Sequence, residues 1–134
     1  MSAENVHVLR GAYEAFARQD VPAVMATFDE SIEWSAPDSL PFGGTYRGHD
    51  GVGGFFGQLP QYWQNLVVEP DEFIDGGETI VVVAHVHGTG AGGAYDQRHV
   101  HLWRMRDGKA VRFTEWSDTA NALEALGQGG AVSK

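Results

Sequence analysis

The periodicity of apolar residues changes at about residue 64, and this change constrains the fold more than any other feature of the chain. Before it, apolar residues recur at spacings of three and four, as on one face of a helix. After it, four segments alternate apolar and polar residues and are separated by turn sequences such as Asp75-Gly76-Gly77 and Asp107-Gly108. Helices followed by a meander predict an α+β fold, in which amino-terminal helices cover one face of a curved antiparallel sheet.

Capping residues and turns set the expected element boundaries. Asp20, Asp50 and Asp118 are the predicted N-caps of the second, third and last helices. Asp118 has a second interpretation, as an acid of the active site. The predicted strands of the meander cover residues 64–74, 78–88, 96–106 and 110–117, and one more strand is expected near residue 33.

Length and charge limit the classes of protein and partner. The 134 residues suit one domain, which we predict over 1–127, with a frayed tail over 128–134. A net charge of -9 argues against nucleic acid or an anionic membrane as a partner, because both require a basic surface. Cysteine is absent, and the amino terminus lacks the apolar segment of a signal peptide. We therefore expect a cytoplasmic protein.

Two His-x-His pairs, His85-Val86-His87 and His99-Val100-His101, flank a glycine-rich stretch. Residues two apart in a strand share a face, so each pair presents both imidazoles on one side of the sheet. A hairpin centred near Gly93 would set His87 opposite His99 and His85 opposite His101. Three interpretations stay open for these four imidazoles: hydrogen-bonded polar groups of a cavity, catalytic groups, or ligands of a metal ion.

The same alternation predicts which strand residues line a cavity. Val81, Val83, His85 and His87 are expected to share the cavity face with His99, His101, Trp103, Phe113 and Glu115. The opposite face would carry Val82, Ala84, Val86, Val100, Leu102 and Trp116. This second face is too apolar to remain in water, so it predicts a homodimer through the outer face of the sheet.

Several segments along the chain resemble one family. They are Ala12-Tyr13-Glu14-Ala15-Phe16, Val24-Met25-Ala26-Thr27-Phe28, Ile32-Glu33-Trp34, Tyr46-Arg47-Gly48, Trp103-Arg104-Met105-Arg106-Asp107-Gly108-Lys109 and Glu115-Trp116-Ser117-Asp118. Together they resemble the SnoaL-like polyketide cyclase and ketosteroid isomerase-related family, over roughly residues 4–127. The resemblance implies the nuclear-transport-factor-like cone fold with an internal pocket. The family includes isomerases, cyclases, dehydratases and members without catalysis, so the fold alone implies no single reaction.

Transferring the family's catalytic positions residue by residue narrows the chemistry. The general-base aspartate of the isomerases falls at Ala36, and their oxyanion tyrosine falls nearer Ala12 than Tyr13. Steroid isomerisation by that mechanism is therefore not expected. The SnoaL-like cyclases use a late acidic residue together with a histidine, and here the resemblance implies Glu115 or Asp118 with His101.

These observations lead to one functional hypothesis and two alternatives. We expect a cofactor-independent cyclase, isomerase, lyase or hydratase, in which His101, held by Glu115, transfers a proton on a small hydrophobic carbonyl compound. The residues expected to bind the substrate are Trp34, Phe55, His85, His87, His99, Trp103 and Phe113. The alternatives are a module of the same fold that binds or scaffolds without catalysis, and a histidine-rich pocket that binds a metal ion.

Overall fold

A computed structural model describes residues 2–128, and in this part of the chain four helices accompany one six-stranded sheet. The elements are α1 (Ser2–Ala17), α2 (Val21–Met25), β1 (Phe28–Ala36), β2 (Gly44–Arg47), α3 (Gly48–Tyr62), β3 (Gln64–Gly76), β4 (Thr79–Gly90), β5 (Gly93–Arg106), β6 (Lys109–Trp116) and α4 (Thr119–Ala125). The predicted α+β class is confirmed. Except for Gln128, the predicted tail lies outside the described residues. None of the described helices is long and apolar enough to cross a membrane.

The sheet is curved and open, with the strand order β2-β1-β6-β5-β4-β3. Its neighbouring strands are antiparallel except β1 and β6, which run parallel and place Trp34 beside Phe113. The rings of these two residues stack with centroids 3.7 Å apart. The parallel pair thus joins the first strand of the chain to the last through an aromatic contact in the interior.

Two of the three predicted N-caps are observed and one is not. The Asp20 side chain accepts a hydrogen bond from the Ala23 N–H, and the Asp118 side chain accepts one from the Asn121 N–H, as expected of N-caps. The predicted cap at Asp50 is wrong. The helix α3 begins earlier, at Gly48, and Asp50 lies in its first turn, where a negative charge favours the helix dipole.

The register of the hairpin between β4 and β5 differs from the predicted one. His85 pairs with Arg98 and His87 pairs with Asp96, whereas the prediction set His87 opposite His99. The shift is three residues along β5. Because three is odd, it exchanges the two faces of β4 relative to β5. The prediction that His85 and His87 face the cavity beside His99 and His101 is therefore wrong.

The same shift moves the apolar residues of β4. Val82, Ala84 and Val86, predicted to lie on the outer face, are buried inside, with exposed fractions of 0%, 0% and 2%. Val81 and Val83 lie on the outer face instead, on the same side as Val100 and Trp116. The face assignments of β5 and β6 agree with the prediction.

The hairpin tip explains the register. The glycine-rich stretch is not a long loop, because Gly90 pairs with Gly93 and only Ala91 and Gly92 form the turn. The carboxyl end of α4 packs on this tip, and the Gly92 N–H donates a 2.8 Å hydrogen bond to the Ala125 carbonyl oxygen. A Cβ atom at Gly92 would overlap the carbonyl oxygen of Glu124. Glycine is required here because another backbone approaches closely.

Substitution of Gly92 by alanine is expected to destabilise the protein by about 1 to 3 kcal/mol, since the added methyl group forces the tip and α4 apart. Gly54→Ala is the matched control, because nothing lies within 4 Å of a Cβ atom at this exposed position of α3. The control should raise stability by about 0.5 to 1 kcal/mol. Denaturant unfolding measures both changes, and a Gly92→Ala protein as stable as the wild type would contradict the close packing.

Candidate functional site

A cavity of about 100 Å³ opens between the inner face of the sheet and the helices α1 and α3. An engineered apolar cavity of about 150 Å³ binds benzene, so this space is somewhat smaller than one that encloses a single ring. Its walls are mainly aromatic and aliphatic. The lining residues are Ala12, Tyr13, Phe16, Val24, Phe28, Trp34, Leu40, Phe42, Phe55, Phe56, Leu59, Trp63, Leu66, Val68, Val86, Tyr95, His99, His101, Trp103, Phe113 and Glu115.

The cavity brings together all the predicted site residues except two. The members of the predicted set that line it are Trp34, Phe55, His99, His101, Trp103, Phe113 and Glu115. His85 and His87 lie on the outer face of the sheet and make their polar contacts with Asp96 and Glu69. Their predicted place in the pocket is wrong because the hairpin register inverts the faces of β4.

A chain of buried hydrogen bonds begins at Trp103. Its indole nitrogen can only donate, so the 3.0 Å contact with Tyr13 makes the tyrosine hydroxyl oxygen the acceptor. The Tyr13 hydroxyl then donates to Nδ1 of His101 at 2.6 Å. A neutral His101 with Nδ1 accepting carries its hydrogen on Nε2. Tyr13 of α1 thereby fixes the tautomer of a histidine on β5.

The chain continues from His101 to a second tyrosine. Nε2 of His101 lies 3.4 Å from Nδ1 of His99, at the long end of hydrogen-bond distances. With Nδ1 as its acceptor, His99 carries its hydrogen on Nε2 and donates to the Tyr95 hydroxyl oxygen at 2.6 Å. In this arrangement the Tyr95 hydroxyl hydrogen is not bonded to any described residue. It is a donor available to a molecule in the cavity.

Glu115 is the acidic member of the cavity lining. Its Oε1 atom lies 3.8 Å from Nδ1 of His99, and the Ser117 hydroxyl donates to Oε2 at 3.2 Å. Glu115 is the partner of His101 in the register of β5 and β6. The nearest polar contact of Glu115 is nevertheless with His99, and His101 is held by Tyr13 instead of by Glu115 as predicted.

Burial sets the protonation states of these groups. Burial lowers the pKa of His99 to about 4, and burial together with the neighbouring His99 lowers the pKa of His101 to about 3. Burial raises the pKa of Glu115 to about 7, although the Ser117 hydrogen bond opposes this rise. Burial also raises the pKa of Tyr13 and Tyr95 above the usual range. At neutral pH the imidazoles and phenols are uncharged, and Glu115 is the group poised to exchange a proton.

One polar atom in this region lacks a partner. The indole nitrogen of Trp34 is buried and has no hydrogen-bond partner among residues 2–128, although the Trp34 side chain lines the cavity. Buried donors are normally satisfied by protein, water or ligand.

Among residues 2–128, two groups of side chains have the composition of metal sites. In the cavity, ligand atoms of His99, His101 and Glu115 lie within 4.8 Å of one another. On the outer face, the corresponding atoms of Glu69, His85 and His87 meet the same distance limit. The four histidines therefore form two separate groups, rather than the single patch that the sequence suggested.

Tyr13 and Tyr95 are site residues that the sequence analysis did not assign. Tyr95 shares the strand parity of His99 and His101, so alternation along β5 would have placed it on the cavity face. Tyr13 lies on the apolar stripe of α1, where nothing in the sequence separates a core residue from a hydrogen-bonding one. Its contact with His101 spans 88 positions of the chain.

Comparison with solved structures finds the same architecture in other proteins. An NTF2-like protein from Burkholderia pseudomallei has 36% sequence identity and a TM-score of 0.87, covering 92% of this chain and 97% of that one. TerC, co-crystallised with polyporic acid, has 29% identity and a TM-score of 0.88, covering 92% and 98%. A putative SnoaL-like polyketide cyclase from Jannaschia shares the fold at 15% identity, with a TM-score of 0.81 and coverage of 93% and 92%.

Sequence comparison agrees with these structural matches. No curated protein sequence matches the chain at a significant level. A sequence model of the SnoaL-like domain matches residues 9–113, which include the part of α1 from Leu9 onward, the cavity histidines and Phe113. The chain has the nuclear-transport-factor-like fold and belongs to the SnoaL-like family, whose related members include cyclases and isomerases.

Proposed function

We propose that the protein is a small-molecule enzyme of the SnoaL type, which moves a proton on a hydrophobic carbonyl compound held in the cavity. One observation carries the proposal: the Glu115 side chain is only 11% exposed and lies beside uncharged imidazoles, and this partial burial raises its pKa to about 7. A carboxyl group with this pKa both takes and returns protons at neutral pH. Cyclases, isomerases, lyases and hydratases all use such a step.

The proton transfer starts from the carboxylate of Glu115. It removes a proton from the carbon next to the substrate carbonyl, and the C–H electron pair forms a carbon–carbon double bond. The π bond of the carbonyl group breaks, and its electron pair moves to the oxygen, which takes the negative charge. Protonated Glu115 then returns the proton to the same or another atom of the substrate. This gives Glu115 the proton-transfer role that the sequence analysis gave to His101, whose pKa of about 3 makes it a weak base.

Two uncharged donors contact opposite nitrogens of His99, and either one is suited to the developing oxyanion. The Tyr95 hydroxyl hydrogen is not bonded to the described residues, and the Nε2–H of His101 is engaged only by the long 3.4 Å contact to His99. A neutral imidazole donates to an oxyanion without becoming a competing acid. His99 links these two donors and faces Glu115, so its role is to position them.

The cavity walls indicate the substrate class. Trp34, Phe55, Trp103 and Phe113 offer aromatic surfaces, which favour a ring-bearing molecule. The unpartnered indole N–H of Trp34 favours a ligand with an additional acceptor oxygen. TerC, at 29% identity, was co-crystallised with polyporic acid, which supports an oxygenated organic molecule as the ligand here.

Replacement of Glu115 by glutamine is expected to slow the proton transfer by about 10² to 10⁴-fold, because the amide cannot accept the proton. Exchange of hydrogen for deuterium beside the carbonyl of aryl ketones, followed by NMR, measures this step directly. Asp118→Asn is the control, since asparagine also caps a helix and Asp118 caps α4. Equal exchange by wild type and Glu115→Gln would contradict the role of Glu115. Ligand binding without exchange by any variant would favour the non-catalytic module.

The pH–rate profile should have one rising limb near pH 7 and a plateau above it. The reason is that the carboxylate is the active form and the pKa of Glu115 is about 7. The Ser117 hydrogen bond lowers the pKa of Glu115, so Ser117→Ala should move the limb to higher pH. The pH profile of kcat/KM tests both statements. A limb at the same pH in the Ser117→Ala protein would show that Glu115 is not the titrating group.

We also propose that two copies of the chain pair through the outer face of the sheet. Trp116 and Val100 are 53% and 40% exposed there, and Ile74 and Val67 extend the apolar surface. Trp116→Glu should give monomers, because it places a charge in the patch. Ala120→Glu adds the same charge at an exposed position of α4 outside the patch. Light scattering at micromolar concentration measures both, and a monomeric wild type would rule out the pairing.

A further inference from the structure

We propose that Glu69, His85 and His87 form a site for a divalent transition-metal ion, Zn²⁺ in the first instance, on the outer face of the sheet. The site joins two strands, because Glu69 of β3 is the register partner of His85 on β4. His87 lies two residues further along β4, on the same face as His85. This site is separate from the cavity, and the ion would play no part in the proton transfer proposed above.

The distances among the three side chains suit such an ion. Oε1 of Glu69 lies 3.2 Å from Nε2 of His87 and 3.5 Å from Nδ1 of His85. Tetrahedral Zn²⁺ with bonds of about 2.1 Å holds neighbouring ligand atoms about 3.4 Å apart. The imidazole rings of His85 and His87 are already adjacent, with centroids 4.9 Å apart. Small side-chain movements therefore suffice for both nitrogens and the carboxylate oxygen to reach one ion.

A fourth residue orients one of the ligands. Nε2 of His85 donates a 2.7 Å hydrogen bond to Oδ1 of Asp96, on the neighbouring strand β5. Because an ionised carboxylate only accepts, this bond keeps the hydrogen of neutral His85 on Nε2 and leaves a lone pair on Nδ1. Metal-bound histidines commonly donate their second nitrogen to a carboxylate in this way. Asp96 is therefore a positioning residue for the site.

The electrostatics of Glu69 and His85 also favour a cation. With Nε2 of neutral His85 protonated, Nδ1 and the Glu69 carboxylate oxygen are two acceptors facing each other, and no hydrogen bond forms between them. A metal ion between these atoms would be attracted to both. Two imidazoles and one carboxylate form the donor set of many zinc sites with an open coordination position. In a single copy of the chain, the side chains of Glu69, His85 and His87 are 57%, 32% and 37% exposed, so solvent and ions reach all three.

Titration of the intact, untagged chain with ZnCl₂ by calorimetry tests the site. We expect one ion per chain, and at least tenfold weaker binding in His85→Ala and in His87→Ala. Asp96→Asn should weaken binding by about 10 to 100-fold while the stoichiometry stays at one, as expected when only the orientation of a ligand is lost. His7→Ala is the control, because His7 is an exposed histidine of α1, and it should bind as the wild type does.

Further outcomes distinguish this site from other places where the zinc ion could bind. Binding that is unchanged in both His85→Ala and His87→Ala would overturn the proposal. The Trp116→Glu protein should still bind one ion, and loss of binding there would indicate an ion held between two copies instead. Zinc should also raise the melting temperature of the wild type by more than that of His87→Ala, because the complete set of ligands binds the ion more tightly in the folded state.

Discussion

The contact between α4 and the tip of the β4–β5 hairpin is the constraint on which the contents of the cavity depend. The Gly92 N–H bonds to the Ala125 carbonyl, and the space for that approach exists only because Gly92 lacks a side chain. The short turn sets which residue of β4 faces which residue of β5. A register different by one residue would move every side chain of a strand to the other face. The inward direction of Val82, Ala84 and Val86 therefore follows from a backbone contact at the far end of the hairpin.

This register gives two pairs of identical residues different chemistry. His99 and His101 lie inside, where burial lowers each pKa and where tyrosines fix the hydrogen positions. His85 and His87 lie outside, beside the carboxylates of Glu69 and Asp96. The inner pair is suited to donating hydrogen bonds as uncharged groups, and the outer pair is suited to binding a cation. Neither role follows from the His-x-His pattern itself.

Much of this architecture could be predicted from the sequence, for reasons that local chemistry explains. Alternation and turn residues located β3 to β6, and the Asp20 and Asp118 caps located α2 and α4. Glu115 and Phe113 were placed in the cavity because alternation within a single strand is reliable. The predicted hairpin register was wrong because residues 88–96 were interpreted as the connection, whereas the strands continue to a two-residue turn on which α4 packs. Tyr13 could not be assigned because its contact with His101 joins distant parts of the chain.

The charge inside the cavity restricts how the proposed reaction can proceed. Neither lysine nor arginine lines the cavity within the described part of the chain, so a carboxylate formed there has no cationic partner among the lining residues. This lack of a cationic partner is consistent with burial raising the pKa of Glu115.

Proton abstraction by ionised Glu115 creates no new charge, because the negative charge moves from the carboxylate to the substrate oxygen. Such a transfer costs less in an apolar cavity than the creation of an ion pair would. The donors Tyr95 and His101 are uncharged, so in the proposed reaction either one would stabilise the moved charge without requiring a counterion of its own. A neutral ring-bearing ketone suits this arrangement better than an anionic substrate, which would add a second negative charge beside Glu115.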